Sequence, residues 1–375
     1  MADSLKIVAD QQITLATEAF SSFGDVSLVN GRHLSQADII DADVLLVRSV
    51  TSVNQTLLAN SKIKFVGSAT SGTDHIDTNY LANQKIEFHY APGSNARSVA
   101  EYVLSALLSF TNQFDFSLKD KTIGIIGVGN VGSSVHSIMR TLGLKCLLND
   151  PPRANSESDF PNTDLDELCN RSDIVTVHTP LIEAGSYKTR DLIDKNLLNF
   201  CHEDVVIINT SRGAIINESD LLSFKQSNPY SKLILDVWQN EPDINLDLLK
   251  LAEIATPHIA GYSFEGKLKA TQQLQKALSK WSGINVNPIS NTNVINIECE
   301  KTLEDEVLYD VITQSYDVHT DSIQLKTILE IQDCDRADNF DQLRKNYPIR
   351  HEFEQISVKM AVALPVLIEL GYKQQ

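Results

Sequence analysis

Short apolar runs separated by polar, helix-like stretches open the chain, at residues 5–9, at Val44–Val47 (VLLV) and at residues 64–66. Such runs are too short for helices, and their alternation with helical patterns predicts βα repetition and a parallel sheet. Over residues 98–110 the sequence SVAEYVLSALLSF spreads apolar positions at helical spacing over a broad face. It predicts a long buried helix. A second and stronger series follows, with TIGIIG from Thr122, KCLLND from Lys145, DIVTVH from Asp173, DVVIINT from Asp204 and KLILDVW from Lys232. These runs predict consecutive strands of a doubly wound sheet. Across residues 264–281 apolar positions return to i, i+3, i+4 and i+7, predicting a helix that packs back on the first domain.

After Gly283 the composition turns to Asn, Pro, Ser and Thr (INVNPISNTNVIN), which puts a linker boundary near Pro288. The last segment mixes strand-like and helix-like runs (EVLYDVITQSY, VKMAVALPVLIEL) and is short for a core of its own. It is expected to bury itself against a partner chain. No internal repeat or low-complexity tract interrupts the chain. With 375 residues the chain exceeds one ordinary core and predicts two or three domains, and 42% hydrophobic with 22% charged residues excludes extensive disorder. The formal net charge of -17 disfavours nucleic acid and anionic membranes as partners. An anionic ligand therefore needs a local group of Arg or Lys. Cys146, Cys169, Cys201, Cys299 and Cys334 form no CxxC pair, and residues 1–10 lack the apolar run of a signal peptide. No run reaches the ~18 apolar residues of a membrane span, so a cytoplasmic protein is expected.

The sharpest motif is GVGNVG, in which Gly127, Gly129 and Gly132 directly follow the predicted strand at 123–126 and open a helical pattern through Asn130 and Val131. Gly127 permits the tight turn, Gly129 the approach of backbone to a pyrophosphate, and Gly132 close helix–strand packing. The helix N-terminus offers free N–H groups to the anion. A glycine-rich strand–helix turn also arises for structural reasons alone, so the next strand matters. It ends in Asp150, about 20 residues beyond the glycines, where a carboxylate accepts ribose hydroxyls and repels a 2′-phosphate. NAD is thus favoured over NADP. Arg153 weakens that preference slightly, and the prolines at 151 and 152 are expected to point it away.

At the ends of the later strands stand Arg212 in NTSRGAIIN, Glu241 in LDVWQNEP and His258 in TPHIAGY. Singly, each has an unremarkable reading; a lone His between Pro and Ile is more often packed or on the surface. Together they supply what oxidation of a 2-hydroxy acid needs. A cation holds the carboxylate and polarises the oxygen, a base takes the hydroxyl proton, and a carboxylate orients the base.

GVGNVG, the SRG segment, DVWxxEP and PHIAG, in this order, resemble the D-2-hydroxyacid dehydrogenase family, over a stretch reaching to about residue 285. The resemblance implies that Arg212 binds the substrate carboxylate and carbonyl, that His258 is the general acid/base, and that Glu241 bonds His258 and raises its pKa. It implies further that Asp236 contacts the nicotinamide carboxamide, that Thr179, Thr210 and Ser211 line the cofactor groove, and that Gly261 lies near the cofactor. The implied fold is α/β, with two Rossmann-like doubly wound parallel-sheet domains, a cleft crossed twice by the chain, and a smaller α+β C-terminal dimerisation domain. The expected boundaries are residues 1–96 with 262–286 for the substrate-binding lid, 97–261 for the NAD-binding domain and 287–375 for the dimerisation domain of a homodimer.

VRSVTSVN, VGSATSGTDHID, PHIAGYSFEGK and LRKNYPIRHEF resemble one branch of that family, which acts on a phosphorylated hydroxy acid. This places Ser49 and Thr70 at the substrate and Tyr262 beside it; the first two also read as turn residues capping helices. Candidate phosphate ligands are Arg48, Lys267, Arg344, Lys345 and Arg350. The basic segment LRKNYPIR reads either as a solvated face, which is the more common case, or as a group reaching a phosphate across a dimer interface. The histidines show no HxH or HExxH spacing, so no metal site is expected. Two rival readings stay open: another enzyme of the family, such as 3-phosphoglycerate dehydrogenase, and a protein that uses the fold to sense NAD(H).

Overall fold

The computed structural model describes residues 4–113, 117–290 and 293–375, with the side chains of all but 111–113. Two compact units divide the chain, Met1–Asn95 with Ser263–Asn293, and Ala96–Tyr262 with Val294–Gln375.

In the first unit, β1 (Leu5–Asp10), β2 (Gly24–Val29), β3 (Val44–Val47), β4 (Phe65–Ser68) and β5 (Glu87–Tyr90) form a parallel sheet in the order β2-β1-β3-β4-β5. The predicted apolar runs are its inner strands; β3 and β4 are buried throughout. Edge strands β2 and β5 are only partly covered and carry mixed sequences (GDVSLV, EFHY), so apolar patterning does not reveal them. The helix Phe264–Ser282 packs on this unit as expected, its Leu274 and Leu278 lying among Ile7, Val44, Leu46 and Phe65. Ser263 Oγ caps it from 2.8 Å, and Gly283 ends it at φ 73°. The predicted linker returns to the same core, since Ile289 N donates to Gln275 Oε1 at 3.2 Å. The boundary therefore falls after Asn293 instead of near Pro288, and residues 291 and 292 of the predicted linker lie outside the described residues.

In the second unit, β6 (Thr122–Ile126), β7 (Lys145–Asn149), β8 (Ile174–Val177), β9 (Val206–Asn209), β10 (Lys232–Leu235) and β11 (Ile254–Ala255) are parallel in the order β11-β10-β9-β8-β6-β7. The predicted second series is β6 to β10. The order in which strands are added reverses between β6 and β8, a topological switch point beyond whose carboxyl ends ligands of such sheets bind.

A smaller parallel sheet, β12 (Ile295–Cys299), β13 (Ile356–Met360) and β14 (Lys373–Gln374), belongs to the same unit. The sequence pattern puts a third domain at 287–375, whereas residues 294–375 share the core of the six-stranded unit; Val311, Ile312, Phe353 and Leu367 cluster with Val103, Leu107 and Phe110. The chain thus passes between the units at 95/96, 262/263 and 293/294, once more than the two crossings expected.

The reason lies in the helix Ala96–Gln113. All residues from 98 to 110 are buried, including the polar stripe Ser98, Glu101, Ser105 and Ser109. A helix apolar and buried all round needs cover on each side. Its polar stripe is met by the C-terminal segment, as Ser98 donates to Glu352 at 3.0 Å, Phe353 N donates to Glu101 at 3.1 Å, and Ser105 donates to the Tyr316 carbonyl at 2.8 Å. Arg350 adds a buried brace, donating to the carbonyls of Ser98 (3.1 Å) and Ala260 (2.6 Å) with its guanidinium 4.2 Å over the Tyr316 ring. Among the described residues no helix is long and apolar enough to cross a membrane.

Arg350→Met removes two charge-assisted hydrogen bonds to backbone carbonyls, at about 1–3 kcal/mol for each. Urea denaturation should give an unfolding free energy lower by roughly 2–4 kcal/mol. An unchanged midpoint would show that this brace contributes nothing.

Candidate active site

The glycine turn follows β6 and leads into the helix Asn130–Thr141. Gly127 has φ +82°, and a Cβ there would stand 2.7 Å from Thr179 Cγ2 and 2.8 Å from its nitrogen. At Gly132 a Cβ would lie 1.9 Å from the Gly127 carbonyl oxygen, so any side chain pushes the helix off the strand. At Gly129 a Cβ would meet nothing within 4 Å. That position opens onto free space at the helix N-terminus, where the N–H groups of Asn130, Val131 and Gly132 belong to the first turn. The arrangement fits a pyrophosphate.

Asp150 is tied into the turn, accepting from Val128 N (2.8 Å) and from Arg153 N (3.1 Å) at the start of the helix Pro151–Ser156. Its remaining lone pairs are open to ribose hydroxyls. The expectation for Arg153 needs correction. The prolines begin a helix that turns the side chain back, so that Nη1 donates to the Val128 carbonyl at 2.8 Å. The guanidinium also pairs with Glu157 at 2.6 Å and lies 4.5 Å over the Phe160 ring. Its charge is matched by Glu157, and Asp150 keeps the negative end that disfavours a 2′-phosphate.

Beyond β8, Thr179 has a buried hydroxyl without a hydrogen-bond partner among the described residues. A bound cofactor would satisfy it. His178 bridges Thr176 Oγ1 (2.9 Å) and Thr210 Oγ1 (3.3 Å), and burial pushes its pKa down to about 3, so the ring is neutral. Beyond β9, the Asn209 side chain shapes the SRG turn, accepting from Ser211 N (3.1 Å) and Oγ (2.9 Å) and donating to the Arg212 carbonyl at 2.9 Å. Arg212 Nη1 donates to the Ser211 carbonyl at 2.8 Å. A Cβ at Gly213 would lie 1.9 Å from the Trp238 carbonyl carbon, so glycine lets this turn abut the one after β10.

There Glu241 Oε1 accepts from Trp238 N at 2.9 Å, and Oε2 accepts from His258 Nδ1 at 2.7 Å. Burial alone would raise the Glu241 carboxyl, but His258, the charge of Arg344 and the Trp238 N–H bring it below its ordinary value. An ionised Glu241 fixes the proton on Nδ1 and leaves the acceptor lone pair on Nε2. His258 itself has φ 59°, a left-handed conformation that costs a non-glycine residue about 1–3 kcal/mol. Asp236 maintains it. Its carboxylate is 1% exposed and accepts from Thr256 Oγ1 (2.6 Å), Ile259 N (2.7 Å) and Ala260 N (3.0 Å), while Tyr102 bonds Thr256 at 2.7 Å. Burial raises the Asp236 carboxyl above its usual range.

Arg212, Glu241 and His258 thus follow β9, β10 and β11, adjacent parallel strands, and reach one sheet edge. Gly261 and Tyr262 continue from the turn held by Asp236, and Tyr262 OH lies 3.4 Å from Arg344 Nη2. Ser49 and Thr70 belong to the first unit, Ser49 exposed after β3 and Thr70 donating to the Gly72 carbonyl at 2.7 Å. In the same unit Ser68 Oγ joins Thr70 Oγ1 (2.7 Å) to His75 Nε2 (2.8 Å), and Arg48 donates to Gln12 at 2.6 Å. Patterning alone does not pick out Asn209, His178, Tyr102 and Thr256. Asn209 was legible in principle, as a polar residue ending an apolar strand before SRG.

Comparison with known proteins places the chain in a family. Residues 106–260 match the model for the D-isomer specific 2-hydroxyacid dehydrogenase NAD binding domain, and residues 289–371 match a domain family of unknown function. Erythronate-4-phosphate dehydrogenase from an Escherichia coli strain is 42% identical over 98% of both chains, and that of Escherichia fergusonii is 41% identical over the same shares. The chain belongs to the erythronate-4-phosphate dehydrogenase family, within the D-isomer specific 2-hydroxyacid dehydrogenases. It is an oxidoreductase with NAD as cofactor. Among solved structures, NAD-bound 3-phosphoglycerate dehydrogenase of Entamoeba histolytica superposes with TM-score 0.65 at 25% identity, covering 77% of this chain and 99% of that one. D-lactate dehydrogenase of Aquifex aeolicus, at 23% identity over 74% of this chain and 96% of its own, shares the fold with TM-score 0.60.

The buried neutral His178 of this dehydrogenase links stability to pH. The unfolded ring takes a proton below its ordinary 6.5, which the folded ring refuses until about 3. Stability is present above pH 6.5 and is lost as pH falls through that window. In acid denaturation followed by circular dichroism, His178→Gln should lose stability less steeply over the same window. A wild-type slope in the variant would show that His178 does not titrate this way.

Proposed function

We propose that this chain oxidises 4-phospho-D-erythronate to 2-oxo-3-hydroxy-4-phosphobutanoate with NAD, on the route to pyridoxine 5′-phosphate (vitamin B6), as a cytoplasmic homodimer. The Glu241–His258 pair carries the reading of the chemistry, standing on the same sheet edge as Arg212. The substrate is supported by the erythronate-4-phosphate dehydrogenases, whose 42% identity runs over 98% of the chain. The 3-phosphoglycerate dehydrogenase likeness is at 25% over 77%.

In this reading His258 Nε2 takes the proton of the substrate's C2 hydroxyl, and Glu241 stabilises the resulting imidazolium through Nδ1. The guanidinium of Arg212 holds the substrate carboxylate and the C2 oxygen on which charge develops. When bound, NAD supplies the two-electron acceptor. Its pyrophosphate would rest on Gly127, Gly129, Asn130, Val131 and Gly132, its ribose on Asp150, and its remaining length along Thr179, Thr210, Ser211, Arg212 and Gly261. Asp236, buried beneath the His258 turn, is assigned to the nicotinamide carboxamide, as the family resemblance implies, and also holds that turn. Ser49, Thr70 and Tyr262 are assigned to the substrate. Dimerisation is assigned to the C-terminal segment, which leaves Ile323, Ile349 and Ile368 exposed at 55%, 74% and 53%.

Formation of NADH with 4-phospho-D-erythronate should exceed that with 3-phosphoglycerate. The reverse preference overturns the substrate, and no turnover with either overturns the enzyme reading in favour of an NAD(H) sensor. His258→Gln should lower kcat by about 10²–10⁴ with little change in KM, as expected for loss of a general base. Retained turnover across pH would remove His258 from this role.

A further inference from the structure

The helix Asp333–Lys345 and the turn after it bring Arg344, Lys345 and Arg350 into the six-stranded unit. Their surroundings separate them. Lys345 is exposed. Arg350 is buried, grips the carbonyls of Ser98 and Ala260, and lays its guanidinium against the Tyr316 ring. Its buried Nε and Nη1 have no hydrogen-bond partner among the described residues, but the two carbonyls and the Tyr316 ring hold it as a brace.

Arg344 is only 16% exposed in its side chain, yet its donors are poorly matched. Nη2 stands 3.4 Å from Tyr262 OH, Nη1 stands 3.9 Å from Asp341 Oδ1, and buried Nε has no hydrogen-bond partner among the described residues. The contact to Asp341 lies outside hydrogen-bond range, so it orients the guanidinium without satisfying it. Burial disfavours the Arg344 charge and Tyr262, Glu241 and Asp341 offset this, yet the guanidinium keeps donor capacity unspent, and its planar fork suits two oxygens of a phosphate.

Tyr262 is the second half of the arrangement. Its ring meets Tyr347 edge-on at 5.8 Å, and Tyr347 donates to Asp321 at 2.8 Å, so the C-terminal segment fixes the ring whose hydroxyl stands beside Arg344. Tyr262 follows His258 by four residues, and Arg344 acts electrostatically on Glu241, so the pair borders the His258–Glu241 dyad. In a chain of net charge -17, an anionic substrate requires such a local cation.

Resting on the function proposed above, we infer that Arg344, together with the Tyr262 hydroxyl, binds the phosphate of the phosphorylated hydroxy acid. Residues 294–375 then supply a specificity group to the reaction as well as cover for the core.

Two variants, Arg344→Met and Arg344→Lys, test this with two readouts. Steady-state rates compare 4-phospho-D-erythronate with D-erythronate, and thermal unfolding compares inorganic phosphate with chloride at matched ionic strength. Arg344→Met should raise KM for the phosphorylated acid by about ten- to a hundredfold, the range for one lost charge-assisted contact. It should reduce preference over D-erythronate by a similar factor and diminish the extra protection given by phosphate. Arg344→Lys keeps the charge without the fork and should recover part of each.

An equal fall in kcat for both acids, with a shifted acidic limb of the pH–rate profile, would mean that Arg344 acts through Glu241 and overturn the proposal. A lower unfolding midpoint with unchanged preference would make it a brace and overturn it as well. If the wild type fails to oxidise the phosphorylated acid, the functional reading falls. The phosphate arm still decides, since a wild-type phosphate response in Arg344→Met overturns the anion site.

Discussion

The turn that carries His258 depends on one buried carboxylate. Asp236 directly follows β10 and accepts from Thr256, Ile259 and Ala260, so a single side chain braces the turn that carries His258. Without those bonds the turn would leave the buried N–H groups of Ile259 and Ala260 unpaired, and only backbone bonds such as His258 N to the Asp236 carbonyl at 2.7 Å would offset the left-handed backbone of His258. Burial raises the Asp236 carboxyl, whereas Glu241, a few residues on, is held ionised by the same histidine. One acid shapes the backbone and the other orients the ring.

Parallel strand order does the rest of the positioning. Because β9, β10 and β11 are neighbours and run the same way, residues distant in sequence reach one edge after each strand. Close approach of the turns then sets side-chain direction, with Gly213 against Trp238 and Asn209 bonded across its own turn. The cofactor end follows the same logic, as Gly132 rests on the Gly127 carbonyl while Gly129 opens to free space.

The C-terminal segment changes the meaning of the helix Ala96–Gln113. Its stripe of Ser98, Glu101 and Ser105 resembles a solvated face, and in the folded chain each of these residues is bonded to the last eighty residues or so. Arg350 extends that contact to Ala260, beside the His258 turn, and Arg344 extends it to Tyr262. The segment and the His258 turn are therefore braced by the same buried polar contacts.

Fold class and the NAD cofactor were legible in the sequence because each rests on local rules, and the same rules put Arg212, Glu241 and His258 just after adjacent strands. Apolar runs of strand length, glycines at turn spacing and charged residues after strands act through the backbone near them. Edge strands β2 and β5 were not legible, since half-exposed strands lack an apolar signature. The direction of Arg153, the service of Asp236 to the His258 turn and the place of residues 294–375 depended on contacts far along the chain. Those are settled by which groups find partners when buried, and spacing along the chain does not encode that. The sequence by itself determined the buried strands and the charged groups that follow them; the tertiary structure decided which buried donor meets which acceptor, because desolvation penalises every unmatched group.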